Sequence, residues 1–593
     1  MALLPMTAEE VRARGWDRCD VVLVTGDAYV DHPSFGAAVI GRVLEADGYR
    51  VGVIAQPDWR GTADFMRLGR PRLFFGVTSG NIDSMLHHYT AARKLRRDDP
   101  YSPGGRHGLR PNRALIVYAN LLRQAYGDVP IVLGGIEASL RRLAHYDYWD
   151  DAVRRPLLFD AKADILVFGM GETAVRSIAR TIDSSPAGRE GALRDIPGTA
   201  VIVGKAEIGA LRGAGCVALP SFEEAAGSKQ SFNRAFALAT AEANPHFGKR
   251  LLQGCGDRWL LANPPARPLT TEELDRVHEL PYERAAHPSY GEPVPALETV
   301  RWSIVAHRGC YGGCSFCTLY FHQGPVIQSR SIGSVVREAA ALAARRDFKG
   351  TITDVGGPTA NMYGTNCRSD RRARDCRRRS CLAPRVCDNL KTDQFESVRL
   401  WRAVLAVPGV KKLYVASGVR HDLALLDDRY LRNLVRERTG GHLKIAPEHV
   451  SPRVLRLMNK PGAETFAEFL DAFRSYSARE QYLVPYLISG HPGCGYGDML
   501  ELREFLQANG IRVEQVQDFI PLPMTASAAM YHTGRDPFSG DKVYVERDPA
   551  GKQRQRRLLT PGGNEQWEPG GPVDRQRMAK RSGPVRDPGG RRR

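Results

Sequence analysis

Three cysteines in a glycine-rich stretch place the strongest limit on what this chain folds into. Cys310, Cys314 and Cys317 are separated by three and then two residues, directly after the apolar run 303–306. Thiolates ligate the irons of iron–sulfur clusters, and a cubane cluster has four irons to ligate. Three cysteines therefore leave one iron open to a small molecule. The alternatives are unrelated thiols or a structural zinc site, although such sites use four ligands and commonly pair their cysteines.

The length and the termini bound the class of protein. A chain of 593 residues is too long for a single core, so we expect about two to four domains. The chain has no run of 18 apolar residues, and its start lacks a basic segment followed by an apolar core. We therefore predict no membrane span, no signal peptide and a cytoplasmic location. In that reducing compartment the eleven cysteines are better explained as metal or redox ligands than as disulfides.

The formal net charge of +18 raises the question of nucleic-acid binding. Residues 551–593 contain twelve basic and four acidic residues, so nearly half of the excess lies in this tail. The tail is rich in Gly and Pro, and we predict that residues 563–593 are disordered. A basic tail most often serves solubility or weak polyanion binding, so the charge alone does not indicate specific recognition.

The first 200 residues alternate short apolar runs with helix-like segments such as 36–46. Continuous apolar runs are typical of parallel strands covered on both faces, and their alternation with helices predicts an open, doubly wound α/β sheet of the Rossmann-like kind. Ligands of such sheets bind at the carboxyl ends of the strands, beside glycine-rich turns like 25–27, 133–135 and 168–172. The predicted strands are Val21–Val24, Val51–Ile54, Leu73–Val77, Ala114–Tyr118, Ile131–Leu133 and Asp164–Phe168.

Two segments of this first half are less regular. Residues 137–151 are dense in polar and aromatic groups, which favours an amphipathic helix followed by a surface loop, with a pocket lining as the alternative. Periodicity weakens over 200–300, where Thr270 caps a predicted helix and 280–290 is typical of an extended connection. We place the domain boundary between residues 295 and 296, so that 1–295 form an N-terminal α/β domain with an extended linker.

A second α/β series over residues 296–562 predicts a partial (β/α)6 barrel of the TIM type with a C-terminal extension. Catalytic groups of barrels lie on the loops that follow the strands, and the cysteine loop follows the first strand of this series. The predicted strands are Ser303–Ala306, Gly350–Asp354, Lys412–Ala416, Leu443–Ala446, Leu483–Ile488 and Glu514–Phe519.

Four more cysteines lie in an arginine-rich insertion at residues 364–392, after the second strand of the barrel. Their spacings are eight, four and five residues, and cationic neighbours favour the thiolate form that metals require. An auxiliary iron–sulfur cluster, a structural zinc ion and a metal-free set of thiols are all compatible with this pattern. Either metal would cross-link and stabilise an insertion that has few apolar residues to form a core. This second candidate metal site consists of Cys367, Cys376, Cys381 and Cys387.

These motifs resemble those of a known family. The cysteine spacing, with the aromatic Phe316 before the last cysteine, is that of the radical S-adenosylmethionine (radical SAM) signature. Over residues 15–560 the chain is similar to the bacterial YgiQ-type radical SAM proteins, a family without a settled substrate. The stretches that carry this similarity are 263–274, 280–284, 308–317, 327–331, 354–363 and the four-cysteine group.

The resemblance implies a cofactor and a first chemical step. Cys310, Cys314 and Cys317 would hold a [4Fe–4S] cluster whose open iron binds S-adenosyl-L-methionine (SAM). An electron from a flavodoxin- or ferredoxin-type donor would cleave SAM to methionine and a 5′-deoxyadenosyl radical, which takes a hydrogen atom from the substrate. The protein itself would position these groups and exclude water.

The resemblance also implies which residues contact SAM. Related cores receive its amino group at a Gly-Gly-Glu sequence after the second strand, and residues 356–357 match it. Pro358 replaces the acid, so only the backbone role carries over. Loops after the fourth and fifth strands contact SAM in related enzymes, and an aromatic of the cysteine loop packs near the cofactors. The SAM-binding candidates are Phe316, Gly356, Gly357, Glu448 and His491.

Cobalamin is the cofactor that the sequence argues against. Cobalamin-binding domains fused to radical SAM cores carry an Asp-x-His-x-x-Gly loop after their first strand. In this chain Asp31 directly precedes His32, and Gly36 comes one position late. We therefore expect no cobalamin ligation by His32 and interpret the segment as the start of a helix.

The first functional hypothesis is a radical SAM enzyme of unknown substrate. Methylthiotransferase-like modification of RNA or protein is the subtype that residues 448–461 resemble, although no RNA-binding β-barrel domain is appended. The alternative from a different class is a non-catalytic iron–sulfur protein that binds nucleic acid through its basic tail.

Overall fold

A computed structural model describes residues 3–184, 189–478, 480–513 and 516–560. The tail predicted to be disordered, 563–593, lies outside these ranges. Along the described chain two α/β assemblies follow one another, as the two series of apolar runs predict. Within the described ranges, none of the helices is long and apolar enough to cross a membrane.

The first assembly begins near residue 8 and ends at residue 300. Its strands are β1 (Val21–Thr25), β2 (Val30–Asp31), β3 (Val51–Ala55), β4 (Phe74–Thr78), β5 (Ile131–Gly134), β6 (His145–Asp147), β7 (Ala152–Arg154), β8 (Ile165–Val167), β9 (Thr199–Val203), β10 (Val217–Ala218), β11 (Leu251–Cys255), β12 (Arg258–Ala262) and β13 (Ala285–Ala286). Its helices are α1 (Ala8–Ala13), α2 (Gly36–Ala46), α3 (Ser84–His88), α4 (Ala114–Tyr126), α5 (Gly135–Leu140), α6 (Leu157–Ala161), α7 (Glu172–Ser184), α8 (Arg189–Ala192), α9 (Ile208–Gly213), α10 (Phe222–Gly227), α11 (Lys229–Ala241), α12 (Thr271–His278) and α13 (Pro295–Val300).

A single mixed sheet organises this assembly, in the strand order β10-β11-β12-β9-β8-β5-β4-β1-β3. From β3 to β8 all neighbours are parallel, which gives the doubly wound order 2-1-3-4-5. The chain reverses direction across the sheet between β1 and β4, and ligands of such sheets bind at that switch point. Antiparallel pairs that involve β9 and β12 extend the other edge.

One predicted strand is wrong. The run Ala114–Tyr118 is the first part of helix α4 and not a strand. A short apolar run is compatible with either element, and here the buried positions recur at helical spacing along one face that packs on the sheet. The buried residues of the helix are Ala114, Leu115, Tyr118, Ala119 and Leu122.

The segment 137–151 also differs from its prediction. It forms helix α5 and then strand β6, and its polar side chains from Glu137 to Asp147 are buried, whereas Asp150 and Asp151 are exposed. Arg141 lies 2.8 Å from a carboxylate oxygen of Asp83 and 2.9 Å from one of Asp147. The polar density therefore belongs to a buried network of ion pairs, which a single sequence does not distinguish from a solvated face.

The second assembly contains the barrel and its extension. Its strands are β14 (Ser303–Val305), β15 (His307–Arg308), β16 (Gln328–Ser329), β17 (Thr351–Ile352), β18 (Asp354–Gly356), β19 (Lys412–Leu413), β20 (His442–Glu448), β21 (Tyr482–Ser489) and β22 (Val516–Asp518). Its helices are α14 (Leu319–Gln323), α15 (Ile332–Ala343), α16 (Asp370–Asp375), α17 (Phe395–Leu405), α18 (His421–Ala424), α19 (Asp428–Asn433), α20 (Pro452–Met458), α21 (Ala463–Tyr476), α22 (Tyr496–Ala508), α23 (Ala526–Thr533) and α24 (Pro549–Arg557).

Parallel pairing joins the strands of this assembly into the predicted open barrel. The pairs are β14–β18, β17–β19, β20–β21 and β21–β22, and a parallel bridge from Val419 to Ile445 links the third strand region to the fourth. One apolar core fills the arc, with Ile304, Leu443 and Leu487 at its centre. The sixth predicted strand is described from Val516 onward, because residues 514–515 lie outside the described ranges.

The C-terminal extension connects the two assemblies. The ring of His532 in α23 stacks on Tyr146 of the first assembly, with 4.7 Å between ring centroids. In the same helix Thr533 accepts a hydrogen bond from the side-chain amide of Asn233 at 3.1 Å. The amide of Ser527 donates to the carbonyl of Ser315, inside the cysteine loop. The extension therefore holds the cysteine loop in place relative to the first assembly.

Candidate functional site

The cysteine loop lies between β15 and α14, at the carboxyl end of the first barrel strand, and backbone hydrogen bonds fix it. The amide of Cys310 donates to the carbonyl of Gly324, and that of Ser315 donates to the carbonyl of Met458. Gly313 has a φ of +59°, and a Cβ there would lie 2.3 Å from the carbonyl oxygen of Arg379. Only glycine fits that position, which explains the glycine-rich sequence of the loop.

The three thiols of the loop are neighbours. Burial raises the pKa of Cys310 and raises that of Cys317 to about 12, and the nearby Cys314 adds to both shifts. Across the described ranges, no three Cys, His, Asp or Glu side chains are already arranged as ligands around one point. Soft thiol donors in one loop nevertheless fit an iron–sulfur cluster, and binding one requires them to lose their protons and close around the iron.

Arg420 is the charged group nearest to these thiols. Its Nη1 atom donates to Sγ of Cys314 at 3.5 Å, while Nε and Nη2 donate to the carboxylate of Asp422 at 2.9 and 2.6 Å. The side chain of Asn361 accepts from the amide of Arg420 and donates to its carbonyl. Although burial opposes it, the Asp422 carboxylate holds the pKa of Arg420 above its usual value, so this cation is permanent.

A second buried ion pair lies at the end of the fourth barrel strand. Nζ of Lys460 is 3.4 Å from Oε1 of Glu448 and donates to the carbonyl of Ala446 at 2.6 Å. Glu448 has a φ of +68°, a left-handed conformation that is costly for a residue other than glycine. Burial raises the pKa of Glu448, whereas Lys460 and then Arg420 lower it. The carboxylate of Glu448, a predicted SAM ligand, therefore interacts electrostatically with both Lys460 and Arg420.

The paired glycines predicted to bind SAM directly follow the second strand. A Cβ on Gly357 would lie 2.6 Å from the carbonyl oxygen of His307, and one on Gly356 would lie 2.8 Å from Oγ of Ser417. Because β14 and β18 are parallel neighbours, this turn lies beside the cysteine loop. Contacts with the protein's own atoms therefore account for both glycines, and binding of SAM by this turn stays a prediction.

His491 lies against the aromatic residue of the cysteine loop. Its ring meets Phe316 edge to face, with 6.2 Å between centroids. Nδ1 lies 2.7 Å from the carbonyl of Pro492, and Nε2 lies 2.7 Å from Oγ of Ser527. Burial lowers the pKa of His491 to about 3, so the ring is neutral. Both ring nitrogens have partners within the protein, and contact of Phe316 or His491 with SAM stays a prediction.

The structure brings the second group of cysteines together beside the first. Burial raises the pKa of Cys381 to about 12, and the charges of Cys387, Cys376 and Cys367 add to this shift. The amide of Cys387 donates to the carbonyl of Cys381, whose own amide donates to the carbonyl of Tyr311. The four thiols therefore lie close enough to influence one another. The hydrogen bond from Cys381 to the carbonyl of Tyr311 connects this group to the cysteine loop.

Two arginines of the insertion pack on aromatic rings. The guanidinium of Arg377 lies 3.8 Å from the ring centroid of Phe247 in the first assembly. That of Arg379 lies 3.5 Å from the ring centroid of Phe538 in the C-terminal extension. These contacts fix the insertion on both neighbours and account for two of its cations without a nucleic acid.

A cavity of about 460 Å³ separates the carboxyl edge of the sheet from the barrel. Thr25 and Thr78 at the ends of β1 and β4 line it on one side, and Leu319 and Gly357 line it on the barrel side. His32 is buried but is not among its lining residues, and Nδ1 of His32 accepts the amide of Ser34 instead. The cavity therefore joins the sheet's switch point to the surroundings of the cysteine loop.

Comparison with known proteins identifies the family. Residues 3–303 match the Radical SAM N-terminal family, 304–506 the Radical SAM superfamily, and 514–568 a domain of unknown function, DUF3362. The chain is 55% identical over 562 residues to a UPF0313 protein of Geobacter sulfurreducens, covering 94% of this chain and 92% of that protein. It is 50% identical over 583 residues to a UPF0313 protein of Methanosarcina acetivorans, covering 94% and 78%. This chain is a radical SAM protein of the UPF0313 family. YgiQ-type proteins are that family, so the resemblance is confirmed.

Solved structures also match the UPF0313 protein, at low sequence identity and with TM-scores below 0.5. One is TsrM from Kitasatospora setae, a radical SAM methyltransferase solved with cobalamin and a [4Fe–4S] cluster bound. The identity is 14% and the TM-score 0.49, covering 92% of this chain and 91% of that chain. Another is OxsB, a cobalamin-dependent SAM radical enzyme, at 11% identity and a TM-score of 0.45, covering 84% of this chain and 53% of that chain. Neither likeness assigns a ligand to the UPF0313 protein.

Sequence reasoning missed three charged residues of the UPF0313 site. Arg420 and Asp422 follow the third barrel strand at the same end as the cysteine loop, and Lys460 begins the turn after α20. A signal for the first two was present, because an Arg-His-Asp sequence directly after a barrel strand falls where catalytic loops lie. Lys460 is 12 residues from Glu448 along the chain, and nothing in the sequence indicates their pairing.

Proposed function

We propose that this UPF0313 protein is an enzyme that cleaves SAM reductively by means of a [4Fe–4S] cluster, for a substrate yet to be identified. The observation that carries the proposal is the cysteine loop, which places three neighbouring thiols beside the glycine turn 356–357. When bound, the cluster and SAM supply a one-electron cleavage of a carbon–sulfur bond that gives methionine and a 5′-deoxyadenosyl radical.

The residues of the chain have distinct parts in this function. Cys310, Cys314 and Cys317 hold the cluster, and the backbone hydrogen bonds of the loop keep the thiols in one place. The turn at 356–357 offers backbone groups to the amino group of SAM. Because Pro358 supplies no carboxylate there, we assign the acidic part of this recognition to Glu448.

The charges near the loop suit a site that gains an electron. Arg420 donates a hydrogen bond to Sγ of Cys314, and hydrogen bonds to cluster sulfurs favour the reduced state. Asp422 holds the guanidinium in position by accepting from both of its other donors. Lys460 compensates the charge of Glu448, so the group as a whole carries two positive and two negative side chains.

Apolar side chains keep water away from this chemistry. Tyr311, Met362 and Leu423 are buried in one cluster that packs directly on Cys310. Phe316 and His491 close the side that faces the C-terminal extension. A dry site protects a reactive radical from side reactions, and this packing provides one. We further propose that a flavodoxin- or ferredoxin-type protein delivers the electron.

Electron paramagnetic resonance tests the proposal. Protein reconstituted anaerobically with iron and sulfide is reduced with dithionite and examined with and without SAM. We expect the signal of a reduced [4Fe–4S] cluster, g-values that change when SAM is added, and formation of 5′-deoxyadenosine. The variant Cys314→Ala should lose the response of the g-values to SAM and the formation of 5′-deoxyadenosine, whereas Cys255→Ala in the first assembly should keep both. A reduced cluster that does not respond to SAM would refute the proposal.

A further inference from the structure

The cavity between the two assemblies lies where a doubly wound sheet binds its ligand. The sheet reverses its order between β1 and β4, and the ends of these strands, Thr25 and Thr78, are on the cavity wall. Crevices outside the carboxyl ends of strands at such a point are ligand sites as a rule. Its volume of about 460 Å³ falls in the range of roughly 300–1,000 Å³ that small-molecule sites occupy.

The opposite wall belongs to the cofactor-binding region. Leu319 lies two residues after the last cysteine of the loop, and Gly357 and Pro358 form the turn assigned to SAM. His322 of α14 lines the same wall and contacts Oγ of Ser139 in the first assembly through Nδ1, at 2.9 Å. A molecule in this cavity therefore touches the sheet on one side and the surroundings of the cofactors on the other.

Two glycines on the wall have no local reason to be glycine. Gly134 has a φ of −156°, an extended conformation open to any residue, and Gly36 opens helix α2 without a positive φ. A Cβ built at either position meets no atom within 4 Å. Neither the backbone conformation nor the packing of neighbouring atoms would prevent a side chain at these two positions. Gly134 is half-buried on the cavity wall, so glycine there leaves room for a ligand, whereas the space in front of Gly36 is also open to solvent.

The described side chains on the wall offer no free cation to an anionic ligand. Among the described lining residues Arg308 is the one guanidinium or ammonium group, and it is ion-paired with Glu172. Asp27 adds a carboxylate, which accepts the amide of Asn81 at 2.7 Å and lies 2.9 Å from the guanidinium of Arg110 behind it. Both carboxylates are thus already paired with arginines, and no described lining residue provides an unpaired cation to balance an anionic group.

Unused acceptors complete the wall. Nδ1 of His307 and Oε2 of Glu172 are buried polar atoms without a hydrogen-bond partner among the described residues. Nε2 of His307 already meets the carbonyl of Thr359 at 2.9 Å, which assigns it the proton and leaves Nδ1 as an acceptor. Buried acceptors without donors are costly, so a ligand that brings an N–H or O–H group suits this wall.

We propose that the cavity is the substrate site of the enzyme and takes an uncharged small molecule that packs on apolar wall residues such as Phe35, Val77 and Leu133 and carries an N–H or O–H donor. Its identity as the substrate site rests on the proposed SAM chemistry, because the barrel wall of the cavity is the SAM region. The chemical class of the ligand rests on the cavity wall alone.

Matched probes test the ligand class on full-length, iron-loaded protein. N-phenyl-1-naphthylamine is neutral, aromatic and carries one N–H, and 8-anilinonaphthalene-1-sulfonate is the same skeleton with an anionic group. Equilibrium dialysis measures binding of each to the wild type and to Gly134→Leu, Gly36→Leu and Gly209→Leu. Gly209 is an exposed glycine away from the cavity that likewise has no atom within 4 Å of a built Cβ, so Gly209→Leu is the control.

We expect the neutral probe to bind at one site per chain and at least about tenfold more tightly than the sulfonate, a difference of about 1.4 kcal/mol. Gly134→Leu should weaken it at least about tenfold, Gly36→Leu at its exposed position should weaken it less, and Gly209→Leu should leave it unchanged. Equal binding by Gly134→Leu and Gly209→Leu, equal binding of the two probes, or no saturable site would overturn the proposal. Dialysis uses no reductant, so these outcomes are independent of whether the protein cleaves SAM.

Discussion

The guanidinium of Arg420 donates to Sγ of Cys314 at 3.5 Å and is held there by the carboxylate of Asp422. The two residues come from the loop after the third barrel strand, and the cysteine comes from the loop after the first. A permanent cation next to a cluster ligand stabilises the more negative, reduced cluster. We therefore expect the pair to influence the reduction potential of a cluster bound by this cysteine.

Removal of this pair should make the cluster harder to reduce. In Arg420→Gln/Asp422→Asn both charges disappear together, which avoids leaving one buried and unpaired. We expect the midpoint potential to fall by about 60 mV or more, because a hydrogen bond to a charged group contributes at least about 1.5 kcal/mol and 59 mV is tenfold for one electron. A redox titration followed by electron paramagnetic resonance measures it. The exposed pair Arg432–Asp428 offers the control Arg432→Gln/Asp428→Asn, and an equal potential in both variants would contradict this role.

The glycine turn after the second strand should tolerate no side chain. A Cβ at Gly357 would lie 2.6 Å from the carbonyl of His307, so Gly357→Ala must displace the turn from the cysteine loop. A displacement of about 1 Å at a reacting site costs on the order of a hundredfold in rate, and we expect such a loss of SAM cleavage. Gly418→Ala is the control, since a Cβ there meets no atom within 4 Å. Comparable 5′-deoxyadenosine rates in the two variants would show that the turn does not position SAM.

Much of this arrangement follows from local sequence, and the rest depends on tertiary contacts. Helix α2 has the predicted bounds, and the capping box at Thr270 forms as predicted. The run Ala114–Tyr118 was wrongly predicted to be a strand, because apolar composition alone does not distinguish a buried helix from a strand. Strands β9 to β12 were missed because their segment shows weak periodicity. The pairing of Glu448 with Lys460, and of Arg420 with Cys314, arises only when distant barrel loops meet.

Buried histidines should make the fold sensitive to mild acid. His145 is 3% exposed, accepts a hydrogen bond from Arg141 at Nε2, and has its pKa lowered to about 4 by burial and then by the Arg141 charge. Its folded pKa lies below the unfolded value of about 6.5, so its neutral form stabilises the fold above pH 6.5. This stability is lost progressively as the pH falls from about 6.5 to 4, because the unfolded chain takes up the proton first.

Thermal unfolding at pH 7 and pH 5 measures the effect. At pH 5 the loss from His145 is about 2 kcal/mol by linkage between these two pKa values. We expect the midpoint temperature of His145→Asn to fall less than that of the wild type between the two pH values. An identical fall in both proteins would mean that His145 titrates normally in the folded state.

The second group of cysteines should retain metal when the first is removed. The other three thiols lie close enough to influence the pKa of Cys381, so we expect the group to close around one metal centre per chain when metal is supplied. Elemental analysis of Cys310→Ala/Cys314→Ala/Cys317→Ala measures what remains. Iron with sulfide indicates an auxiliary cluster, and one zinc ion a structural site. Further substitution of the residues of the second group by Ala should remove the metal, and a metal-free triad variant would contradict the expectation. The second group consists of Cys367, Cys376, Cys381 and Cys387.

The most direct test of the account is the amount of 5′-deoxyadenosine formed per chain from SAM and dithionite without oxygen. The comparison is between Cys310→Ala/Cys314→Ala/Cys317→Ala and a matched triple variant at the other end of the chain, Cys19→Ala/Cys216→Ala/Cys255→Ala. We predict that the matched variant forms as much 5′-deoxyadenosine and methionine per chain as the wild type does. The loop variant should form neither product above background. Cleavage by the loop variant at the wild-type rate, or none by iron-loaded wild type, would contradict the account.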